Sequence, residues 1–155
     1  TDILHVSESR YGALLSANGL GALLGALTVA TFGNRIQPRR LILGGLWTFS
    51  AMLLLLAFVR WFPLVLLCLA VGGWGMLLYF ATTNTLIQTS VSDAMRGRVM
   101  GIWALVFGGM VPIGGLESGA LSQAVGVPWT ITVGAAVCAG AGLVTWWQGR
   151  RQPEA

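Results

Sequence analysis

Residues 41–59 read LILGGLWTFSAMLLLLAFV, and this stretch, which contains no charged residue, decides the fold. An α-helix rises 1.5 Å per residue, so about 20 apolar residues cross the ~30 Å hydrocarbon core of a bilayer. Similar stretches lie before and after it. The sequence therefore predicts an all-α polytopic membrane protein with five transmembrane helices, over residues 11–33, 41–59, 63–89, 99–121 and 128–147.

The composition is typical of a protein that lies in lipid. Charged residues make up 9% of the chain, whereas about 25% is usual in a soluble domain, and the mean hydropathy is +0.77. Most of the 22 glycines lie inside the apolar stretches, where membrane helices use small residues to pack closely. Cys68 and Cys138 also lie there, so the sequence predicts no disulfide framework, no metal site and no cofactor.

The arginines predict how the chain is oriented, because the sequence contains no lysine. Seven of them lie in residues 34–40, in residues 90–98 and in the C-terminal tail, whereas only Arg10 and Arg60 lie on the other side. The positive-inside rule places the arginine-rich side in the cytoplasm. We therefore predict an external segment (1–10), a helix bundle (11–148) and a cytoplasmic tail (149–155) in a cell membrane, inner or plasma. The net charge of +4 then reflects topology and contact with lipid headgroups, and no nucleic-acid partner is expected.

Three segments resemble a known family of transporters. Residues 84–100, NTLIQTSVSDAMRGRVM, are similar to the loop between helices ten and eleven of major facilitator superfamily proteins, above all in the enterobactin-exporter-like, drug-efflux branch. Residues 11–25, with the basic segment 33–40, resemble helix eight and the loop after it. Residues 111–115, VPIGG, resemble the Pro-Gly segment of helix eleven. The resemblance covers almost the whole chain, as helices eight to twelve of the C-terminal bundle of a twelve-helix protein.

The resemblance implies a function and a set of partners. It implies part of a secondary active transporter, a proton-coupled antiporter that exports small molecules of drug or siderophore type by alternating access. The expected partners are the bilayer, the substrate, protons and a missing N-terminal helical half. Five spans alone cannot form the two-bundle cavity of such a transporter, so the chain alone is expected to be inactive. The alternative is a non-transporting membrane scaffold or assembly protein, or an inert truncation product.

The two basic loops are the candidate cytoplasmic gate that the resemblance implies. The family's first loop usually carries an Asp, which Asn34 replaces here, so no charge-relay role is predicted for Asn34. In the second loop, Ser92 or Asp93 is predicted to cap a short helix. The alternative for this loop is that its arginines set topology and bind lipid phosphate. The candidate gate residues are Asn34, Arg35, Arg39, Arg40, Asp93, Arg96, Gly97 and Arg98.

Polar residues inside the spans are candidates for a substrate pathway. Asn18 shares a helix face with Gly21 and Gly25, and either bonds a neighbouring helix or lines a pore. The third span carries one continuous polar arc, with Leu86 among the residues opposite it. This arc is either a cavity wall or a hydrogen-bonded helix contact, because unpaired amides in hydrocarbon are costly. The residues of the arc are Thr82, Asn84, Thr85, Gln88 and Thr89.

The fourth span contains a proline and the only acidic residue within any span. Pro112 removes the hydrogen bond to the carbonyl of Gly108, which predicts a helix kink there. Glu117 lies four residues before the predicted end of the span, so it either extends to a wet vestibule, pairs with a neighbour or acts in the pathway. An enzyme is not predicted, because the only histidine, His5, lies outside the spans and no acidic pair occurs.

Overall fold

The fold is a bundle of five long α-helices. The computed structural model describes the backbone of residues 8–151 and the side chains of residues 10–148. The helices are α1 (Glu8–Phe32), α2 (Pro38–Phe58), α3 (Phe62–Ser90), α4 (Asp93–Val125) and α5 (Val127–Arg151). All five are long and apolar enough to cross a membrane, and the described residues contain no β-strand. The predicted fold class is confirmed.

Short connections join the helices. A proline lies in the first turn of both α2 and α3, where the N–H that proline lacks would have no partner within the helix. The connection between α4 and α5 is a single residue, Gly126, with a φ of 87°. Glycine adopts this left-handed conformation without steric cost because it has no Cβ atom. A single residue therefore suffices for the turn from α4 into α5.

The start of α4 corrects the sequence prediction. Residues Asp93, Arg96, Gly97 and Arg98, predicted to lie in a loop, form the first two turns of this helix. Ser92 is at the N-cap position but makes no side-chain capping hydrogen bond, and the helix that follows has 33 residues rather than being short. The prediction failed for a physical reason. Hydropathy identifies only the part of a helix that lies in lipid, whereas the helix itself can continue beyond the lipid in turns made of polar residues. Gly97 disfavours a helix by only about 1 kcal/mol relative to alanine.

The ends of the chain also extend the predicted helices. Residues 8–10, predicted to belong to the external segment, are part of α1, and residues 149–151 of the predicted tail are part of α5. Residues 1–7 and 152–155 lie outside the described residues. The α4 helix continues without a break through Pro112, and a kink there remains a prediction.

Helix α3 lies at the centre of the packing. It contacts α1 on one side and α2 on another, while α5 packs against α2. A Cβ atom added at Gly45 of α2 would lie 2.5 Å from the carbonyl oxygen of Gly75 on α3, so these two backbones touch. Glycine pairs of this kind allow the close van der Waals contact that joins helices in lipid. The buried apolar residues are Leu41, Leu46, Ala57, Val65, Cys68, Leu78 and Ala135, from α2, α3 and α5.

Helix α4 differs from the others, because none of its residues is buried. A Cβ atom added at Gly101, Gly108 or Gly115 would have no neighbour within 4 Å. This helix contacts α5 and meets α3 through an aromatic cluster of Phe80, Trp103 and Phe107, whose ring centroids lie 4.5–5.9 Å apart. One face of the bundle is thus covered only loosely by α4.

Candidate functional site

The polar segment of α3 divides between two surfaces. Thr82, Thr85 and Thr89 line a cavity of about 330 Å³, which we call the loop cavity. Its other walls come from the end of α1, the α1–α2 connection and the start of α2. The full lining is Val29, Ala30, Gly33, Asn34, Pro38, Leu41, Thr82, Thr85, Leu86 and Thr89. The prediction that Leu86 lies opposite the threonines is wrong, because residues four apart on a helix differ by only about 40° in direction.

Asn84 and Gln88 do not line the loop cavity. The Gln88 side-chain amide donates a hydrogen bond to Oδ1 of Asn84, and both residues are half-buried. Phe80, Asn84 and Gln88 are each four positions apart and so share one face of α3. Phe80 contacts α4 on that face. The predicted single polar arc is therefore two sites: threonines toward the loop cavity, and an amide pair on the side of α4.

Thr82 has an unusual environment within the loop cavity. Its residue surface is only 6% exposed, and its hydroxyl has no hydrogen-bond partner among the described residues. The neighbouring Thr83 hydroxyl is also buried and unpartnered, but Thr83 does not line the cavity. By contrast, Thr89 donates to the Thr85 carbonyl oxygen at 3.0 Å. A buried polar group without a partner costs about 1–3 kcal/mol, so Thr82 is a site where a bound molecule could lower the free energy.

The arginines next to the loop cavity have different roles. Nη2 of Arg39 donates to the main-chain oxygen of Trp146 at 3.0 Å, which joins the start of α2 to the C-terminal part of α5. That end of a helix carries partial negative charge, which favours a cation. Arg35 and Arg40 are exposed, and their side chains have no hydrogen bond or ion pair with any described residue.

The corner between α3 and α4 is fixed by one arginine. Nε of Arg96 donates to the main-chain oxygen of Gln88 at 3.2 Å, and its Nη2 lies 2.6 Å from Oδ1 of Asp93. The guanidinium therefore bonds a carbonyl in the last turn of α3 and a carboxylate in the first turn of α4. Arg98 makes no such contact within the described residues. Nothing in the sequence distinguishes Arg96 from Arg98, but in the structure only Arg96 joins α3 to α4.

Asn18 lies at the contact between α1 and α3. A Cβ atom added at Gly73 of α3 would lie 2.6 Å from both the main-chain oxygen and Oδ1 of Asn18. About 15 Å further along α1, Nε1 of Trp74 donates to Oγ1 of Thr28 at 3.1 Å, a second bond between these helices and one that was not predicted from the sequence. A tryptophan deep in an apolar span signals such a bond, because its N–H needs a partner when buried. The contact favours interhelical packing as the role of Asn18.

Glu117 lies apart from the other candidate residues. It is exposed, with no hydrogen bond or ion pair to any residue that the structure describes. Helix α4 continues to Val125, so Glu117 lies about 12 Å before the helix end rather than near it. It also lies about 15 Å along the axis from Phe107, the residue that contacts α3. Across the described chain, no three His, Cys, Asp or Glu side chains form a group that could hold a metal.

Five long apolar helices with glycine-mediated contacts define a polytopic α-helical membrane protein. The chain belongs to the Major Facilitator Superfamily, whose family model matches residues 1–155, and the resemblance seen in the sequence is confirmed. It is 34% identical over 100 residues to "Enterobactin exporter EntS" of Citrobacter koseri, an alignment that covers 64% of this chain and 24% of that relative. The protein of the same name from Escherichia coli O1:K1 is 34% identical over 103 residues, covering 66% and 24%. The chain thus spans about a quarter of the length of these curated relatives. No solved structure matches it.

Proposed function

We propose that this chain is part of a secondary active transporter that exports small molecules from the cell by alternating access, coupled to protons. Membership of the Major Facilitator Superfamily and the similarity to two proteins named as enterobactin exporters support the proposal. The observation that carries it is the amide pair of Asn84 and Gln88 on the loosely covered α4 side of α3. In hydrocarbon such a pair needs a polar or protein environment, which a substrate pathway supplies.

The proposed pathway wall combines polar and aromatic groups. Asn84 and Gln88 offer a carbonyl oxygen and amide hydrogens beyond the one that joins them. The aromatic cluster of Phe80, Trp103 and Phe107 supplies an adjacent apolar surface. This combination suits a small molecule with both polar and aromatic parts, because small-molecule sites are mostly apolar with a few placed polar groups.

The chain alone is proposed to transport nothing. Alternating access requires two bundles that move around a site between them. Here α4 has no buried residue and its glycines face open space, so the α4 side is available to the N-terminal helical half that we propose as partner. The proposed location is the inner or plasma membrane, with the N-terminus outside and the C-terminus in the cytoplasm. The seven-to-two distribution of arginines supports this orientation.

A chimera tests the proposal. This chain would replace the matching segment of the Citrobacter koseri exporter, and enterobactin efflux would be measured in cells that lack their own exporter. We expect measurable efflux, and its loss when Asn84 and Gln88 are both changed to leucine. Thr83→Val is the matched control on the same helix. A chimera that inserts at normal abundance but never exports would favour the scaffold alternative, and unchanged efflux in the leucine variant would exclude the amide pair from the pathway.

A further inference from the structure

The lining of the loop cavity is chemically mixed. The polar residues Thr82, Thr85, Thr89 and Asn34 contribute to the lining, and so do the apolar residues Val29, Leu41 and Leu86. Thr85, Leu86 and Thr89 are exposed, so the cavity opens at the surface of the bundle rather than into its centre. A molecule that enters from the surrounding lipid would reach it without crossing the helix contacts. This arrangement suits an amphiphile.

The buried hydroxyl of Thr82 indicates which part of an amphiphile would bind there. Thr82 lines the cavity, is 6% exposed and has no hydrogen-bond partner among the described residues. The hydroxyl oxygen itself is fully buried, so it must turn toward the cavity by rotation about the Cα–Cβ bond of Thr82 before it can donate to an ester or phosphate oxygen. Such a bond removes the cost of leaving the hydroxyl unpaired. The amide of Asn34, in the connection just after α1, can donate to the same group.

The charges beside the cavity indicate the sign of the ligand. Asn34 and Pro38 line the cavity. Arg35 follows Asn34 directly, and Arg40 lies two residues after Pro38. Arg39 is already bonded to Trp146, but Arg35 and Arg40 have no side-chain partner within the described chain. The described residues from 28 to 41 and from 78 to 90 include no acidic side chain. Basic pockets between transmembrane helices bind anionic lipid headgroups.

We propose that the loop cavity binds the headgroup of an anionic phospholipid. The phosphate lies beside Arg35 and Arg40, the ester and headgroup oxygens accept hydrogen bonds from Thr82 and Asn34, and the acyl chain follows Val29 and Leu86. This site is separate from the amide pair of Asn84 and Gln88, and the proposal does not depend on transport. A bound lipid would also link the end of α1, the start of α2 and the end of α3, the three elements that line the cavity.

Native mass spectrometry of the 155-residue chain, released from detergent with added lipid, tests the proposal. The probes are phosphatidylglycerol and, as a zwitterionic reference, phosphatidylcholine with the same acyl chains. We expect phosphatidylglycerol to bind at least fivefold more tightly. Thr82→Val should weaken its binding about three- to tenfold, as expected for the loss of one hydrogen bond. Thr83→Val, which removes a buried hydroxyl outside the cavity, should leave the binding unchanged.

A second pair of variants keeps the test decisive if Thr82→Val fails to fold. Arg35→Gln should weaken phosphatidylglycerol binding, whereas Arg98→Gln, which removes another exposed charge away from the cavity, should not. Equal effects of these two variants, or no preference for phosphatidylglycerol, would overturn the proposal. Competition by soluble glycerol phosphate at the same concentration as the lipid would also overturn it, because the acyl chain would then contribute nothing and the site would be one for a free phosphate ester.

Discussion

Gly21 of α1 lies directly against the main-chain carbonyl of Ala70 on α3, with no room between them for a Cβ atom. One turn further, a Cβ atom at Gly25 would be 2.8 Å from the carbonyl oxygen of Trp74. In lipid, two helices gain no hydrophobic free energy by associating, so contact between their backbones has to supply the attraction. Gly21 and Gly25, four residues apart on one face of α1, thus provide a close backbone contact of this kind with α3.

Gly21→Ala should therefore destabilise the bundle. The added methyl group cannot fit against a backbone carbonyl unless α1 moves, and overpacking of this kind costs about 1–3 kcal/mol. The matched control is Gly19→Ala on the same helix, where a Cβ atom has no neighbour within 4 Å and alanine improves helix propensity. The free energy of unfolding in mixed micelles, followed by circular dichroism, measures the difference. Equal stability of the two variants would show that α1 does not pack on α3 through Gly21.

The connection between α2 and α5 yields a local prediction. Arg39→Gln removes the donor to the Trp146 carbonyl, so amide hydrogen exchange in residues 143–148 should become severalfold faster. The rest of α5 should change little, because Gly142 still packs against α2, where a Cβ atom added at Gly142 would lie 3.4 Å from the side chains of Leu46 and Trp47. Arg40→Gln is the control, since its side chain has no partner in the described chain. Similar exchange in both variants would show that the Arg39 bond does not hold the end of α5.

Sequence patterns predict the helices of this chain better than they predict its contacts. Long apolar runs reveal the five helices because lipid imposes a length on each of them. Hydropathy does not predict that α4 begins at Asp93, because the first two turns of this helix are too polar to be recognised as part of a membrane span. The bond from Arg39 to Trp146 joins residues 107 positions apart, and no local spacing encodes it. A helical wheel likewise groups the polar residues of α3 on one arc. Only the packing of the other helices around α3 shows that Thr82 lines the loop cavity whereas Asn84 lies on the side of α4.

Cysteine labelling tests the orientation. In a background without Cys68 and Cys138, single cysteines at Gln37 and Met95 should react only with reagents on the cytoplasmic side, and one at Val127 only from outside. Val127 is preferable to the adjacent Gly126, because the φ of 87° at Gly126 would strain any other residue. Met95 is 47% exposed and Val127 is 38% exposed, so both positions are accessible. Labelling of position 127 from the cytoplasm would reverse the proposed topology.

The two arginines at the start of α4 should differ in importance. Arg96 bonds both Gln88 and Asp93, whereas Arg98 has no contact of this kind in the part of the chain that the structure describes. In the chimera, Arg96→Ala should lower enterobactin efflux severalfold at near-normal abundance, because it loosens the corner next to the proposed pathway residue Gln88. Arg98→Ala should have a small effect. If both variants instead lose membrane abundance and retain efflux per molecule, these arginines set topology rather than the geometry of the corner.

Glu117→Gln should change efflux by the chimera less than Arg96→Ala does. Glu117 is exposed and has no partner among the described residues, and it lies about 15 Å along α4 from the contact with Phe80. An amide at this position can find the same water or polar partner as the carboxylate, so little should change if Glu117 only extends to a wet surface. A residue that carries the coupling proton would behave differently: glutamine cannot release a proton, so pH-driven efflux would stop while substrate binding persisted. Efflux and substrate binding measured at several external pH values separate the two roles. Loss of efflux in Glu117→Gln with binding intact, while Arg96→Ala still exports, would make Glu117 the coupling residue and reverse the expected order of importance.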